Sequence, residues 1–207
     1  MHFGLGNKGD TIGRPEADFP LTRTRYTKLF LQKDQSLSRD AEPRESSLSY
    51  DSQSGKQVFL YRFDEACETT GFFSLHLVVS SPEHTNADVF VQVEKLSPSK
   101  QPQAVQTIRP GSAVVQRLFK FMHDWDVIPG SAGMAFHRGP DGCLRSSFAL
   151  NKDGKRSRVA RPFYTYAEKV PLRKGEARVL EIPLRPYGMY WEVSLCLSDA
   201  SRPSVEY

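Results

Sequence analysis

Three stretches of the chain hold side chains of the kinds that do chemistry. His123-Asp124-Trp125-Asp126 sets an imidazole close to two carboxylates, donors that suit a hard or borderline cation. No second ligand cluster accompanies them, so the stretch reads as a polar loop beside an aromatic anchor. Gly130-Ser131-Ala132-Gly133 approaches the G-x-S-x-G elbow that displays a hydrolytic serine. It is one residue short and follows Pro129, and the elbow requires alternating β and α units that the pattern lacks. Gly4, Gly6 and Gly9 fall at dinucleotide-loop spacing. Such a loop works between a strand and a helix N-terminus, and only Met-His-Phe precedes it, so residues 1–17 read as a flexible leader.

Two further sets have bland readings beside the sharp ones. His76 alternates with apolar neighbours, which predicts a hydrogen-bonded, partly buried strand histidine. Phe163, Tyr164, Tyr166, Tyr190 and Trp191 could stack on a sugar, but packing between sheets is the more common use of such rings. No residue is therefore assigned a catalytic, cofactor-binding or metal-ligating role, and no cofactor is expected.

The elements that position these residues are strands. Lys56–Leu96 contains three runs with period-2 alternation, and successive side chains of a strand leave opposite faces. Phe59, Tyr61 and Phe63 share one face of the first run; Phe73, Leu75, Leu77 and Val79 share one face of the second. In the third, Val89, Val91 and Val93 oppose Gln92 and Glu94. The joints Asp64–Gly71 and Ser81–Ala87 are polar and carry Gly, Pro or Asn. Tyr26–Leu31 reads as a short strand, Gln32–Ser47 as an exposed loop, and Leu48–Tyr50 as the start of further pairing. Met134–His137 and Cys143–Phe148 flank the turn RGPDG and predict a hairpin. Phe163–Tyr166 follows the basic loop, and Ala177–Leu184 alternates again, with Pro183 expected at an edge or end. A helix is expected over Ser112–His123, with a strand as the alternative. Many short strands with at most one or two short helices predict an all-β fold, a jelly-roll β-sandwich.

Size and charge narrow the classes. At 207 residues, with 39% hydrophobic residues in periodic positions, the chain can bury a core. No apolar run reaches the ~20 residues that span a bilayer, so no membrane partner is expected. The net charge of +4 comes with acidic residues throughout, a balance that favours solubility over nucleic-acid binding. The one basic cluster, Lys152, Lys155, Arg156, Arg158 and Arg161, reads as a solvated loop. Cys67, Cys143 and Cys196 share no ligand or redox spacing, which predicts reduced thiols in a cytoplasmic protein.

Several phrases, taken in order, resemble the C-terminal domain of the X-Pro dipeptidyl-peptidase and cocaine-esterase-like (CocE/NonD) serine hydrolases. They are DFPLTRTRYTKLFL (Asp18–Leu31), SYDSQSGKQVFLYRFDEACETTGFFSLHLVVSS, ADVFVQVEKL (Ala87–Leu96), GPDGCLRSSF (Gly139–Phe148) and EKVPLRKGEARVLEIPLRPYGMYWE (Glu168–Glu192). The resemblance implies a galactose-binding-like jelly roll over residues 18–193 that packs on an α/β-hydrolase domain and helps shape its site. In such enzymes the Ser-His-Asp triad lies in that other domain, so no triad residue carries over to any position here. The chain is not expected to be active alone, and its status as an enzyme stays open. The family's Arg-Ala-Ser-His-Arg pattern is here Arg145-Ser146-Ser147-Phe148. After Glu192 the expected Ala-Gly and apolar strand are not evident, so residues 194–207 read as a divergent or truncated tail. A missing strand would leave Val179–Leu184 or Val89–Val93 as an open edge and promote self-association. A stand-alone carbohydrate- or protein-binding module, or a non-functional remnant, is the alternative.

Overall fold

The computed structural model describes residues 15–51, 55–97, 100, 102–103, 105–106, 114–115, 117–118, 121, 136–191 and 195–200. Their order is β1 (Phe30–Leu31), β2 (Leu37–Ser38), β3 (Gln57–Arg62), β4 (Cys67–Val79), β5 (Asp88–Leu96), β6 (Pro102–Gln103), β7 (Val105–Gln106), β8 (Phe136–His137), β9 (Asp141–Arg145), β10 (Arg178–Trp191) and β11 (Leu195–Ala200). A 3-10 helix, Ser146–Asn151, follows β9.

Two layers face each other, as the alternation requires. One is the sheet β3-β11-β5, in which β9 and β6 share the far side of β5. The other is the antiparallel pair of long strands β4 and β10, in register from Val79↔Arg178 to Cys67↔Trp191. Leu180, Ile182 and Leu184 point inward from β10 and meet Val89, Val91 and Leu144 from the first layer. Tyr164 completes that cluster, and Phe73, Leu75, Leu77 and Val79 of β4 pack at its side. At the other end Trp191 stacks on Phe63 with 5.0 Å between centroids, and Met189 lies beside it in the core. The expected jelly-roll sandwich is the fold, and all three central runs are strands with the faces assigned from period.

Several details differ from expectation. The residues after RGPDG do not fold back on those before it: β9 pairs with β5, and β8 pairs with β7. The cause is close packing of the turn on β5. Val93 N donates to Pro140 O at 2.9 Å, and a Cβ at Gly139 would lie 2.0 Å from Val93 O. Phe163–Tyr166 is not a strand but makes an isolated bridge from Tyr164 to Lys152. The early strand is only Phe30–Leu31 and pairs with Leu37–Ser38 inside the expected loop, while Leu48–Tyr50 belongs to no strand. Val114, Val115, Arg117, Leu118 and Phe121 are helical; the remainder of the expected helix lies outside the described residues.

The largest correction concerns the end of the chain. Leu195–Ala200 is a strand, and it lies between β3 and β5, from Leu195↔Arg62 and Cys196↔Lys95 to Ala200↔Gln57 and Ala200↔Val91. The Val89–Val93 run is consequently central, not an edge. Leu-Cys-Leu-Ser supplies only a short alternation, which is why the strand is faint in sequence. Pro183 lies within β10, yet on the side away from β4, where a missing N–H breaks no ladder bond. A bulge between Leu184 and Tyr187 accommodates Pro186.

Candidate functional site

The most heavily bonded polar group among the described residues is one that alternation could have flagged. Arg178 shares the inward parity of Leu180 and Ile182 and is 7% exposed. Its Nη1 donates to Val170 O at 2.6 Å and Ser146 O at 3.5 Å; its Nη2 donates to Pro171 O at 3.4 Å and Glu176 Oε1 at 2.8 Å. Arg173 N donates to the other Glu176 oxygen at 3.0 Å. That backbone bond and the Arg178 bond hold the Glu176 carboxyl below its ordinary range. Ser146, fully buried, accepts Ala87 N on its hydroxyl at 2.9 Å. Arg145 grips Asp88 with two bonds of 2.7 and 2.9 Å. Together these contacts fasten the 3-10 helix and the 168–176 segment to the sandwich. They satisfy buried carbonyls that would otherwise be costly.

On the outer face of β4–β10 lies the second cluster. Glu181 accepts Lys152 Nζ, and its carboxylate sits 3.5 Å from His76 Nε2. Tyr164 donates its hydroxyl to Glu181 O at 2.7 Å. Burial, with the Glu181 charge second, pushes the Tyr164 phenol up to about 12. An imidazole beside a carboxylate can move protons, but among the described residues no hydroxyl or thiol hydrogen-bonds His76. The expectation of a partly buried histidine is corrected: its side chain is 64% exposed, because β4 turns that face to solvent.

The other sequence candidates disperse. Tyr164 and Trp191 are core residues, and Trp191 Nε1 donates to Thr69 Oγ1 at 2.8 Å, so the five aromatics form no common platform. Tyr166 lies 6.0 Å from Tyr164 between ring centroids and meets Phe148 edge-on at 5.4 Å. Members of the basic loop make contacts within the chain: Arg156 lies over Phe163 at 4.6 Å and Arg161 over Phe72 at 4.9 Å. Arg158 Nη1 donates to the carbonyls of Lys155 and Ser157. Cys67 is half-buried, its thiol pushed up by burial, and Cys143 is exposed. The side chain of Cys196, the glycines Gly4, Gly6 and Gly9, His123–Asp126 and Ser131 lie outside the described residues. Among the described residues no three of His, Cys, Asp and Glu gather as a metal site would need, and no helix is long and apolar enough to cross a membrane. Lys95, 3% exposed and bonded to Tyr190 O at 2.9 Å, is a further buried charge that its inward parity signals.

Comparison with known proteins fits this scaffold. The family model for the X-Pro dipeptidyl-peptidase C-terminal non-catalytic domain matches residues 5–188. No curated protein matches the chain. A crystal structure of a CocE/NonD family hydrolase from Staphylococcus aureus superposes with a TM-score of 0.74 at 21% identity, over 97% of this chain and 32% of that one. A second structure of that hydrolase gives 0.71 at 23% identity, over 90% of this chain and 30% of that one. An aminopeptidase from a marine sediment Thaumarchaeota archaeon gives 0.57 at 13% identity, over 95% of this chain and 32% of that one. The chain thus spans about a third of the length of these relatives, with a shared fold. By the match over nearly its whole length, the chain belongs to the family of X-Pro dipeptidyl-peptidase C-terminal non-catalytic domains.

Proposed function

We propose that the chain acts as the accessory β-sandwich of a serine hydrolase of the X-Pro dipeptidyl-peptidase or acyl-esterase type, by packing on an α/β-hydrolase domain. The observation that carries this reading is the family match over residues 5–188, in a chain one third the length of its structural relatives. An apolar surface supports it. Val114, Leu118 and Phe121 recur on one helical face and are 76%, 54% and 54% exposed, more than a solvent-facing helix stripe ordinarily shows. Acyl transfer itself, through nucleophile, base and oxyanion hole, belongs to the hydrolase domain in this reading.

The test pairs the chain with the catalytic portion of the Staphylococcus aureus hydrolase, expressed without its own C-terminal third. The chain alone leaves X-Pro anilides and aryl esters intact. Added to the catalytic portion, it co-elutes and raises that portion's melting temperature, and Leu118→Glu weakens the effect. Turnover by the chain that vanishes in Ser131→Ala, or no association at all, contradicts the reading.

A further inference from the structure

The two strands of the outer sheet finish their free sides differently. In an antiparallel pair, residues alternate between those that bond their partner and those whose backbone groups point away from it. On β10 the second kind is identified by two contacts. Glu181 O accepts the Tyr164 hydroxyl, and Pro183 O faces Gly142, where an added Cβ would lie 2.1 Å from it. The β4 residues opposite Val179, Glu181 and Pro183 are Val78, His76 and Ser74. Their backbone N–H and C=O groups therefore point to the outer side of β4, and among the described residues nothing bonds them.

The start of β4 is flanked by the 19–24 segment, where Thr24 Oγ1 donates to Thr70 O at 3.5 Å and Phe19 meets Phe72 edge-on, but no residue from 73 to 79 guards that side. Natural edges are protected by Lys, by Pro or by a bulge, and from Thr69 to Ser81 the sequence has no Lys, Arg, Asp, Glu or Pro. The inner face reports the same gap. Leu180, Ile182 and Leu184 of β10 are 0%, 0% and 5% exposed, whereas their partners Leu77, Leu75 and Phe73 are only half-buried. One more strand beside β4 would cover them.

We propose that this edge pairs with the same edge of a second copy, in an antiparallel β4–β4 contact about a twofold axis at His76. An antiparallel edge is complementary to itself, since a twofold axis brings each outward N–H to an outward C=O. In this register Ser74 faces the partner's Val78, and His76 faces the partner's His76. The inner face then sets Leu75 opposite the partner's Leu77, and Phe73 opposite the partner's Val79. Every inner apolar residue thus meets another, the condition that fixes strand register. About six backbone hydrogen bonds form, and β10-β4 becomes one continuous sheet across the two copies. This association is separate from docking on a hydrolase domain.

Sedimentation velocity on the 207-residue chain, from about 1 to 200 μM, tests it. A reversible monomer–dimer equilibrium is expected. Val78→Lys replaces a residue 69% exposed and should weaken the dimer at least about tenfold by placing a charge on the edge, with the melting temperature unchanged. Val179→Lys is the control: it faces Val78 but lies one strand inward, with 63% exposure, and should leave the dimer intact. A monomer throughout, or a dimer indifferent to Val78→Lys, overturns the proposal. Equal weakening by Val179→Lys overturns it too, because it would assign the contact to the sheet's face. A strictly monomeric chain that still binds the hydrolase portion sinks this inference alone.

Discussion

β10 and β4 are neighbours, alike in length and alternation, yet their free sides have opposite characters. Along β10 a proline without an N–H, a tyrosine hydroxyl and the close approach of Gly142 occupy the outward side. Along β4, Ser74, His76 and Val78 offer outward backbone groups that nothing bonds among the described residues. The difference teaches that a short local alternation defines a strand but not its neighbours, and that neighbours determine how completely its inner face is covered. Apolar residues of equal character are fully buried on one strand and half-buried on the next.

The largest expected effect tests that contrast in the core. Ile182→Ala, at a site with no exposure, should cost about 3–4 kcal/mol through lost transfer energy and the cavity left behind. Leu75→Ala, its half-buried cross-strand partner, should cost about 1–2 kcal/mol. Urea unfolding of both variants measures the gap, and equal losses would mean that β4 is as well covered as β10. Next comes the guard itself. Gly142→Ala forces a methyl to within 2.1 Å of Pro183 O, backbone against backbone. It should cost about 2–3 kcal/mol, read as a lower urea midpoint at unchanged slope. Loss below about 0.5 kcal/mol would show that β9 and β10 are not locked together.

Smaller again is the tyrosine. Its phenol titrates in the folded chain at about 12, against an ordinary value of 10.0. Unfolded chains therefore lose this proton first, and stability present below pH 10 falls as pH rises towards 12. Tyr164→Phe should cost about 1 kcal/mol at neutral pH and remove that alkaline decline. A decline of the same size in the variant would mean that Glu181 O is satisfied without the hydroxyl.

Much of the sandwich was legible because period-2 alternation is local and strong in Val58–Phe63, Phe73–Val79 and Val89–Val93, whereas Cys67–Gly71, read as part of a polar joint, is the start of β4. Parity also carried information that size and charge alone do not: Arg178 and Lys95 stand at inward positions among apolar residues, and both are buried with carbonyls for partners. What sequence could not convey is pairing between distant segments. RGPDG has good hairpin chemistry, but packing of Gly139 and Pro140 on Val93 directs β9 to β5 instead. β11 is six residues of modest alternation whose place between β3 and β5 depends on ladders to both. The rings grouped by sequence, from Phe163 to Trp191, separate because β10 carries Trp191 to the far end of the core from Tyr164.

Residue-resolved amide exchange of β4, at low and at high protein concentration, tests the contrast most directly. Phe73, Leu75, Leu77 and Val79 bond β10 and should exchange slowly at both concentrations. Ser74, His76 and Val78 should exchange quickly in dilute solution and become protected as the chain is concentrated. Slow exchange of those three amides at every dilution, or fast exchange that concentration leaves unchanged, would contradict an open edge that pairs with itself.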